Sequence, residues 1–242
     1  EMKEHEYVLW VIAANPKDKG KFVYELPKNV VEVHEVFLDD ALRLKDSGKM
    51  FHAFTEEETN SLKELMLCRR PNWEILFRLY HDQKLNPMSF LRSEEFLNIL
   101  TECCIKDYPY TPFADAFHTM RSMLLPVLYL MGSEVPKADV YHAICTGYGG
   151  LLACLGGHVY KKKVLLTEHG IYTREREEEI IRAKWVQPAF KKQWISFFYM
   201  LSDIIYTRAF LVSALFTNAM HAQIQMGCDK GKCRVVENGI NY

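Results

Sequence analysis

The chain has no surplus of charge of either sign, no Cys-x-x-Cys pair, no low-complexity tract and no uncharged apolar run of membrane-spanning length. Each absence removes a class of protein. Thirty Lys and Arg residues stand against 31 Asp and Glu, a formal net charge of −1, so no general field attracts nucleic acid and no such partner is expected. The opening Glu-Met-Lys-Glu-His-Glu is polar and holds no signal-peptide core. The most apolar stretch, Ile195–Phe216, is broken by Asp203 and Arg208, whereas a spanning helix needs about 20 mostly uncharged residues. It reads as a buried helix running into a strand, and the expected location is cytoplasmic. The seven cysteines (68, 103, 104, 145, 154, 228 and 233) are odd in number and lack metal-ligand spacing. Reduced thiols are expected, with neither a disulfide scaffold nor a metal site. The signatures GxSxG, HExxH and the phosphate-loop lysine are also missing, so no nucleophile or metalloprotease constellation is evident.

What is present is strand–helix alternation. Tyr7–Ala14 is a continuous apolar run of strand length, and Val30–Phe37 alternates after the turn at Pro27–Asn29. Both read as strands, the first buried on two faces as in a parallel sheet. From about 38 to 131 the pattern turns helical. Thr55 followed by Glu56, Glu57 and Glu58 is a helix start, and Ser61–Cys68, Trp73–Asp82, Ser89–Lys106 and Pro112–Leu130 show helical spacing. This block of four or five helices reads as an insertion whose Leu and aromatic stripes form core. Beyond Gly132 come strands at Asp139–Cys145, Lys163–Thr167, Ala214–Thr217 and Arg234–Glu237, with helices after Thr146, from Arg174, over Lys191–Phe210 and over Asn218–Met226, the last stopped by Gly227. The fold class expected is α/β, a Rossmann-like parallel sheet carrying inserted helices. The chain opens on what reads as a helix end before Tyr7 and stops after a strand and turn, so it also reads as cut at both ends.

In open α/β sheets, ligands bind beyond the carboxyl ends of the strands. Three such ends are polar here: His142, the turn Thr146-Gly147-Tyr148-Gly149-Gly150, and Thr167-Glu168-His169-Gly170 with Tyr172, Arg174 and Arg176 behind it. Glycines at a helix start admit backbone N–H groups to an anion, but they equally allow close helix–strand packing. His142 lies within an apolar strand and reads first as a satisfied core histidine. His169 follows a strand directly and precedes a glycine that permits unusual backbone angles; an imidazole there can hydrogen-bond a sugar hydroxyl or move a proton. A loop histidine with a structural hydrogen bond is the alternative. Arg174 and Arg176 can clamp a phosphate or carboxylate, or pair with Glu175, Glu177, Glu178 and Glu179 along an exposed helix.

Several of these segments carry a resemblance. DVYHA at 139–143, GYGGLLA at 147–153, LLTEHGIYTREREEEI at 165–180 and ALFTNAMHAQIQMGCDKGKCRVVENGIN at 214–241 resemble family 4 glycosyltransferases of the GT-B fold, Pel exopolysaccharide type. YELPKNVVEVHEVFL at 24–38 and the helical block are similar to the amino-terminal region of that group. The resemblance implies that residues 1–242 are the amino-terminal, acceptor-side Rossmann-like domain of a retaining glycosyltransferase. That enzyme would move a sugar from a nucleotide diphosphate donor, a UDP-sugar, to a growing exopolysaccharide, with no cofactor and no metal. It implies His169 as the catalytic residue facing the transferred sugar. Glu168, Gly170, Tyr172, Arg174, Arg176, Gly147 and Gly149 become substrate-binding candidates, and Asn238 and Gly239 the interdomain hinge. The donor-binding domain, a first strand and a glycine-rich acceptor loop would lie outside this chain, leaving it inactive alone. Implied partners are the nucleotide sugar, the glycan acceptor, its own second domain and a membrane-associated polysaccharide synthase complex at the inner face of the membrane. Two other readings stay open: half of a sugar-nucleotide epimerase, and a non-catalytic domain binding glycan or a partner.

Overall fold

The seven-residue run YVLWVIA forms β1 (Tyr7–Ala13), which pairs in parallel with β2 (Val30–Phe37), bringing Trp10 opposite His34 and Ile12 opposite Val36. The computed structural model describes residues 4–44 and 52–239. After β2 come α1 (Leu38–Ala41), α2 (Glu56–Met66), α3 (Trp73–Phe77), α4 (Pro87–Leu91), α5 (Glu94–Asp107) and α6 (Phe113–Met131). Strand–helix alternation then resumes with β3 (Val140–Ala143), α7 (Gly147–Tyr160), β4 (Lys163–Glu168), α8 (Tyr172–Arg182), α9 (Lys191–Arg208), β5 (Leu211–Ala214), α10 (Thr217–Gln225) and β6 (Cys233–Val235). The four later strands pair in chain order, β3-β4-β5-β6, all parallel. The class is α/β and Rossmann-like with an inserted helical block.

Local chemistry explains most boundaries. Thr55 accepts from the Glu58 amide while the Glu58 carboxylate accepts from the Thr55 amide, a complete capping box that starts α2. Gly227, at φ +103°, takes the left-handed position after α10. The single helix expected over Ser89–Lys106 is two, because Ser93 leaves helical geometry to accept from the Phe96 amide and so begins α5. The segment Trp73–Asp82 is α-helical only to Phe77 and then widens into a π turn, Arg78–Asp82, in which the Gln83 amide reaches back to the Arg78 carbonyl at 2.9 Å. The strand expected at Ala214–Thr217 lies instead at Leu211–Ala214, since Phe216 already sits at the cap of α10. The charged helix starts at Tyr172, two residues before Arg174. The helix end expected before Tyr7 falls partly on residues 1–3, which lie outside the described part; residues 4–6 run through a turn and a bend into β1.

One buried cluster runs from Ala41 through the helical block to Cys233, so the inserted helices and the four-stranded sheet share a core. The α6 helix is its axis, with Met120, Met123, Leu124, Leu125, Val127, Leu128, Leu130 and Met131 all buried. An ion-pair group fastens the block to α7 and α9 at the surface: Glu74 meets Arg208 at 2.6 Å and His158 at 2.8 Å, and Asp82 meets His158 at 3.6 Å. Burial alone would raise the Glu74 carboxyl pKa, yet Arg208 and His158 together hold it below its ordinary value.

The expected sheet is not continuous. Among the described residues β1 pairs only with β2, and β3 only with β4. A groove of about 290 Å3 separates them, lined by Val8–Val11 on one side and Val140–Cys145 on the other. Every residue of the apolar β1 is accordingly half-buried, not enclosed.

Helix α7 packs through its glycines. A Cβ on Gly156 would lie 2.4 Å from the Tyr141 ring, and one on Gly157 would lie 2.5 Å from Val164. The Tyr141 ring cannot swing aside, because its hydroxyl donates to the Pro136 carbonyl at 2.8 Å. Overpacking of ~1–3 kcal/mol then exceeds the ~1 kcal/mol that alanine offers over glycine inside a helix. Gly156→Ala is therefore expected to lower the urea midpoint, while Gly239→Ala, with open space around it, leaves it unchanged.

Candidate functional site

The carboxyl ends of β3, β4 and β5 lie side by side and carry a polar ladder. His142 Nε2 is 2.8 Å from Thr167 Oγ1, and Thr167 Oγ1 is 2.7 Å from Ser213 Oγ. His142 is exposed on its strand, so it is not the core histidine expected, although it is hydrogen-bonded. The protein mass around it lowers its pKa, which favours a neutral ring.

Alternation along β4 sends successive side chains to opposite faces. Val164, Leu166 and Glu168 point into the core. Glu168 is 1% exposed, and its Oε2 accepts from Tyr206 Oη at 2.8 Å and from Gln223 Nε2 at 3.0 Å. Its Oε1 has no partner. Burial pushes the Glu168 carboxyl above its ordinary pKa, against the pull of Tyr206, Gln223 and the Tyr172 main chain. As a substrate contact Glu168 must therefore be corrected: it is sealed under α9 and α10 and fixes the strand end from behind. His169, the next residue, is exposed and makes no hydrogen bond or ion pair with the described residues.

The loops that flank His169 are held by a buried hydroxyl chain. Ser202 of α9 donates to Thr146 Oγ1 at 3.0 Å and lies 2.5 Å from Thr173 Oγ1. Thr146 and Thr173 are both fully buried, at 0% exposure. Thr146 immediately precedes α7 and Thr173 sits in the first turn of α8, so one serine ties both strand-end turns to one helix. Sequence reading missed Ser202, Tyr206, Gln223 and Ser213, and no local motif marks them.

The remaining candidates fall into place around this hub. Gly147, at φ +69°, begins α7 beneath the Tyr172 ring, where a Cβ would come within 2.6 Å of the ring. Tyr172 thus covers the glycine turn. A Cβ on Gly149 would meet Cys145 Sγ at 3.2 Å and one on Gly150 would meet Ile205 at 3.0 Å, so these two glycines serve helix packing. Gly170 does not adopt an unusual backbone angle; it is small because the Glu175 carboxylate occupies the space of a Cβ, at 2.4 Å. Arg176 is committed to Glu179 at 2.5 Å and to the Tyr172 ring, 5.3 Å from its centroid. Arg174 is exposed in an open depression shared with Glu175, Glu178, Glu179 and Arg182. The two arginines form no joint clamp. Asn238 and Gly239 are exposed beyond β6.

No group of three or more His, Cys, Asp and Glu side chains converges as metal ligands among the described residues, and no helix there is long and apolar enough to cross a membrane. The seven cysteines are free thiols.

Parallel strands, helices between them and a polar rim at the strand ends define a Rossmann-like α/β domain. The sequence profile of a domain of unknown function (DUF3492) matches residues 1–231, and the chain belongs to that family. No curated protein and no solved structure matches it.

Removing the central hydroxyl isolates two buried threonines. Ser202→Ala is expected to cost about 1–3 kcal/mol in urea unfolding, whereas Ser122→Ala, at an exposed site, should cost less than about 0.5 kcal/mol. Glu168 adds a pH dependence. Its folded pKa lies above the ordinary 4.5, so its contribution to stability is full below that value and is lost as pH rises through the folded pKa. Melting curves of wild type and Glu168→Gln are expected to diverge in favour of the Gln variant with rising pH; parallel curves would show that Glu168 does not titrate in this way.

Proposed function

We propose that this domain is the acceptor-side half of a retaining glycosyltransferase of the family 4, Pel exopolysaccharide type. In this reading it transfers sugar from a UDP-sugar to a growing polysaccharide in the cytoplasm, beside a membrane-bound synthase complex. The observation that carries it is His169: an exposed imidazole without a partner among the described residues, one residue beyond a central parallel strand whose last residue, Glu168, is locked in the core. Carboxyl ends of parallel strands are where α/β domains meet their ligands. The motif around it, TEHGIYTRER at 167–176, is the part of the chain that most resembles those transferases.

The chemistry follows from placement. Transfer joins an acceptor hydroxyl to the anomeric carbon as the diphosphate leaves. A histidine held on a rigid strand end can hydrogen-bond a hydroxyl of the sugar as charge builds on its ring. Tyr172, stacked over Gly147 and bound to Arg176, shapes the wall beside it. Arg176 is already paired, so on this domain the exposed Arg174 is the arginine left to meet the diphosphate or the acceptor, facing a second domain joined through Asn238 and Gly239. No metal or cofactor enters this reading.

In the protein joined to its donor-binding domain, His169→Ala is expected to remove about 2–4 kcal/mol of transition-state stabilisation. The measurement is kcat/KM for transfer from UDP-glucose, UDP-galactose or UDP-N-acetylglucosamine, with circular dichroism confirming an intact fold. Unchanged turnover with an active wild type removes His169 from the reaction.

A further inference from the structure

An open depression of about 640 Å3 runs along α8, lined by Ile171, Arg174, Glu175, Glu178, Arg182 and Trp185. Trp185 is its unexpected member. Tryptophan is highly buried on average, yet this residue is 67% exposed. Its footing is fixed all the same. The Trp185 and Trp194 rings meet nearly at right angles, 5.8 Å between centroids, and Trp194 stacks on Phe198 at 6.3 Å. The next residue, Val186, is buried and anchors the backbone. The ring therefore stands at a set position with most of its surface in water, the rigid aromatic area that recognition surfaces favour.

The helix beside it is polar in both senses. It offers two guanidinium groups, Arg174 and Arg182, and three carboxylates, Glu175, Glu178 and Glu179. Glu178 and Arg182 pair at 3.5 Å in water, an exposed contact that gives way at little cost. The Arg174 guanidinium forms no ion pair with the described residues. These groups sort the candidate ligands. Three carboxylates repel a polyanion. A protein helix or strand lacks the apolar strip it needs, since only Ile171, Ala183 and Trp185 are apolar here. A sugar matches the lining: its C–H face covers an indole, and its hydroxyls donate to carboxylates and accept from guanidinium groups. Helix α8 spans 11 residues, about 16 Å of rise, which gives room for several sugar units. The depression begins at Ile171, two residues past His169, so it leads to the strand-end loop. We propose that this depression holds the growing glycan, with one sugar stacked on Trp185 and hydroxyls bonded by Arg174. That the glycan is the acceptor rests on the transferase reading; that an oligosaccharide binds rests on the depression alone.

The test is binding of cellotetraose, chitotetraose and the tetrasaccharide of N-acetylgalactosamine to this chain, followed by tryptophan fluorescence and calorimetry. A saturable response in the millimolar range or below is expected from at least one of them. Trp185→Ala should weaken it by about fivefold or more, and Trp185→Tyr, which keeps a ring, should recover part of the affinity. Tyr110→Ala, at an aromatic residue outside the depression that is 99% exposed, should bind as wild type does. Circular dichroism checks the fold of each variant. The proposal is overturned by no saturable response from the three tetrasaccharides up to about 10 mM, by wild-type affinity in Trp185→Ala, or by an equal loss in Tyr110→Ala. It is also overturned by Trp185-dependent self-association in sedimentation without a sugar response, which would make this face a contact between copies. If the protein joined to its donor-binding domain transfers no sugar while a tetrasaccharide binds through Trp185, the transferase reading fails and the binding site stands. If transfer depends on His169 and no tetrasaccharide binds, the site fails and the transferase reading stands.

Discussion

A single buried serine organises the functional rim. Ser202 bonds Thr146 and Thr173, one at the start of each helix that follows a strand end, and both are closed to water. A hydrogen bond in such a place is worth most through the penalty of leaving it unmade. The two turns are therefore set by a helix far from either in sequence, and His169 stands between them on a frame that cannot drift independently. Glu168 completes the frame from the core side, pinned by Tyr206 of α9 and Gln223 of α10. Two helices thus converge on one strand end, which is the pre-organisation that binding and catalysis require of a scaffold.

What could be read from the residues in order was what short-range physics decides. The apolar run of β1, the capping box at Thr55 and the stop at Gly227 each depend on a few neighbouring residues, and each formed where expected. The position of His169 was legible for the same reason, since it needs only a strand and one more residue. The burial of Glu168 was not, because its partners lie 38 and 55 residues away. The break at Ser93 was hidden by an unbroken helical spacing that its capping hydroxyl overrides.

The glycines show how one residue type serves different ends. In the turn before α7, backbone freedom matters at Gly147, whose φ is positive; at Gly149 and Gly150 the demand is for a missing side chain. The turn that resembled a phosphate cradle is roofed by Tyr172, so its open face belongs to packing. Polar residues followed the same division. Arg176 and Glu168, suggestive in sequence, are spent on internal partners, while His169 and Arg174 remain turned outward.

The gap between β1 and β3 has a consequence for how the domain comes apart. Among the described residues no main-chain bonds cross it, and the first sheet meets the rest through side chains, chiefly Trp10, Ile12 and Val36 against the helical core. Such a unit opens at a lower free energy than the four-stranded sheet and exchanges its amide protons sooner. When it opens, β1 offers an unpaired edge of apolar strand to whatever polypeptide passes. The domain thereby carries its own seam, along which it yields first and along which another strand can join it.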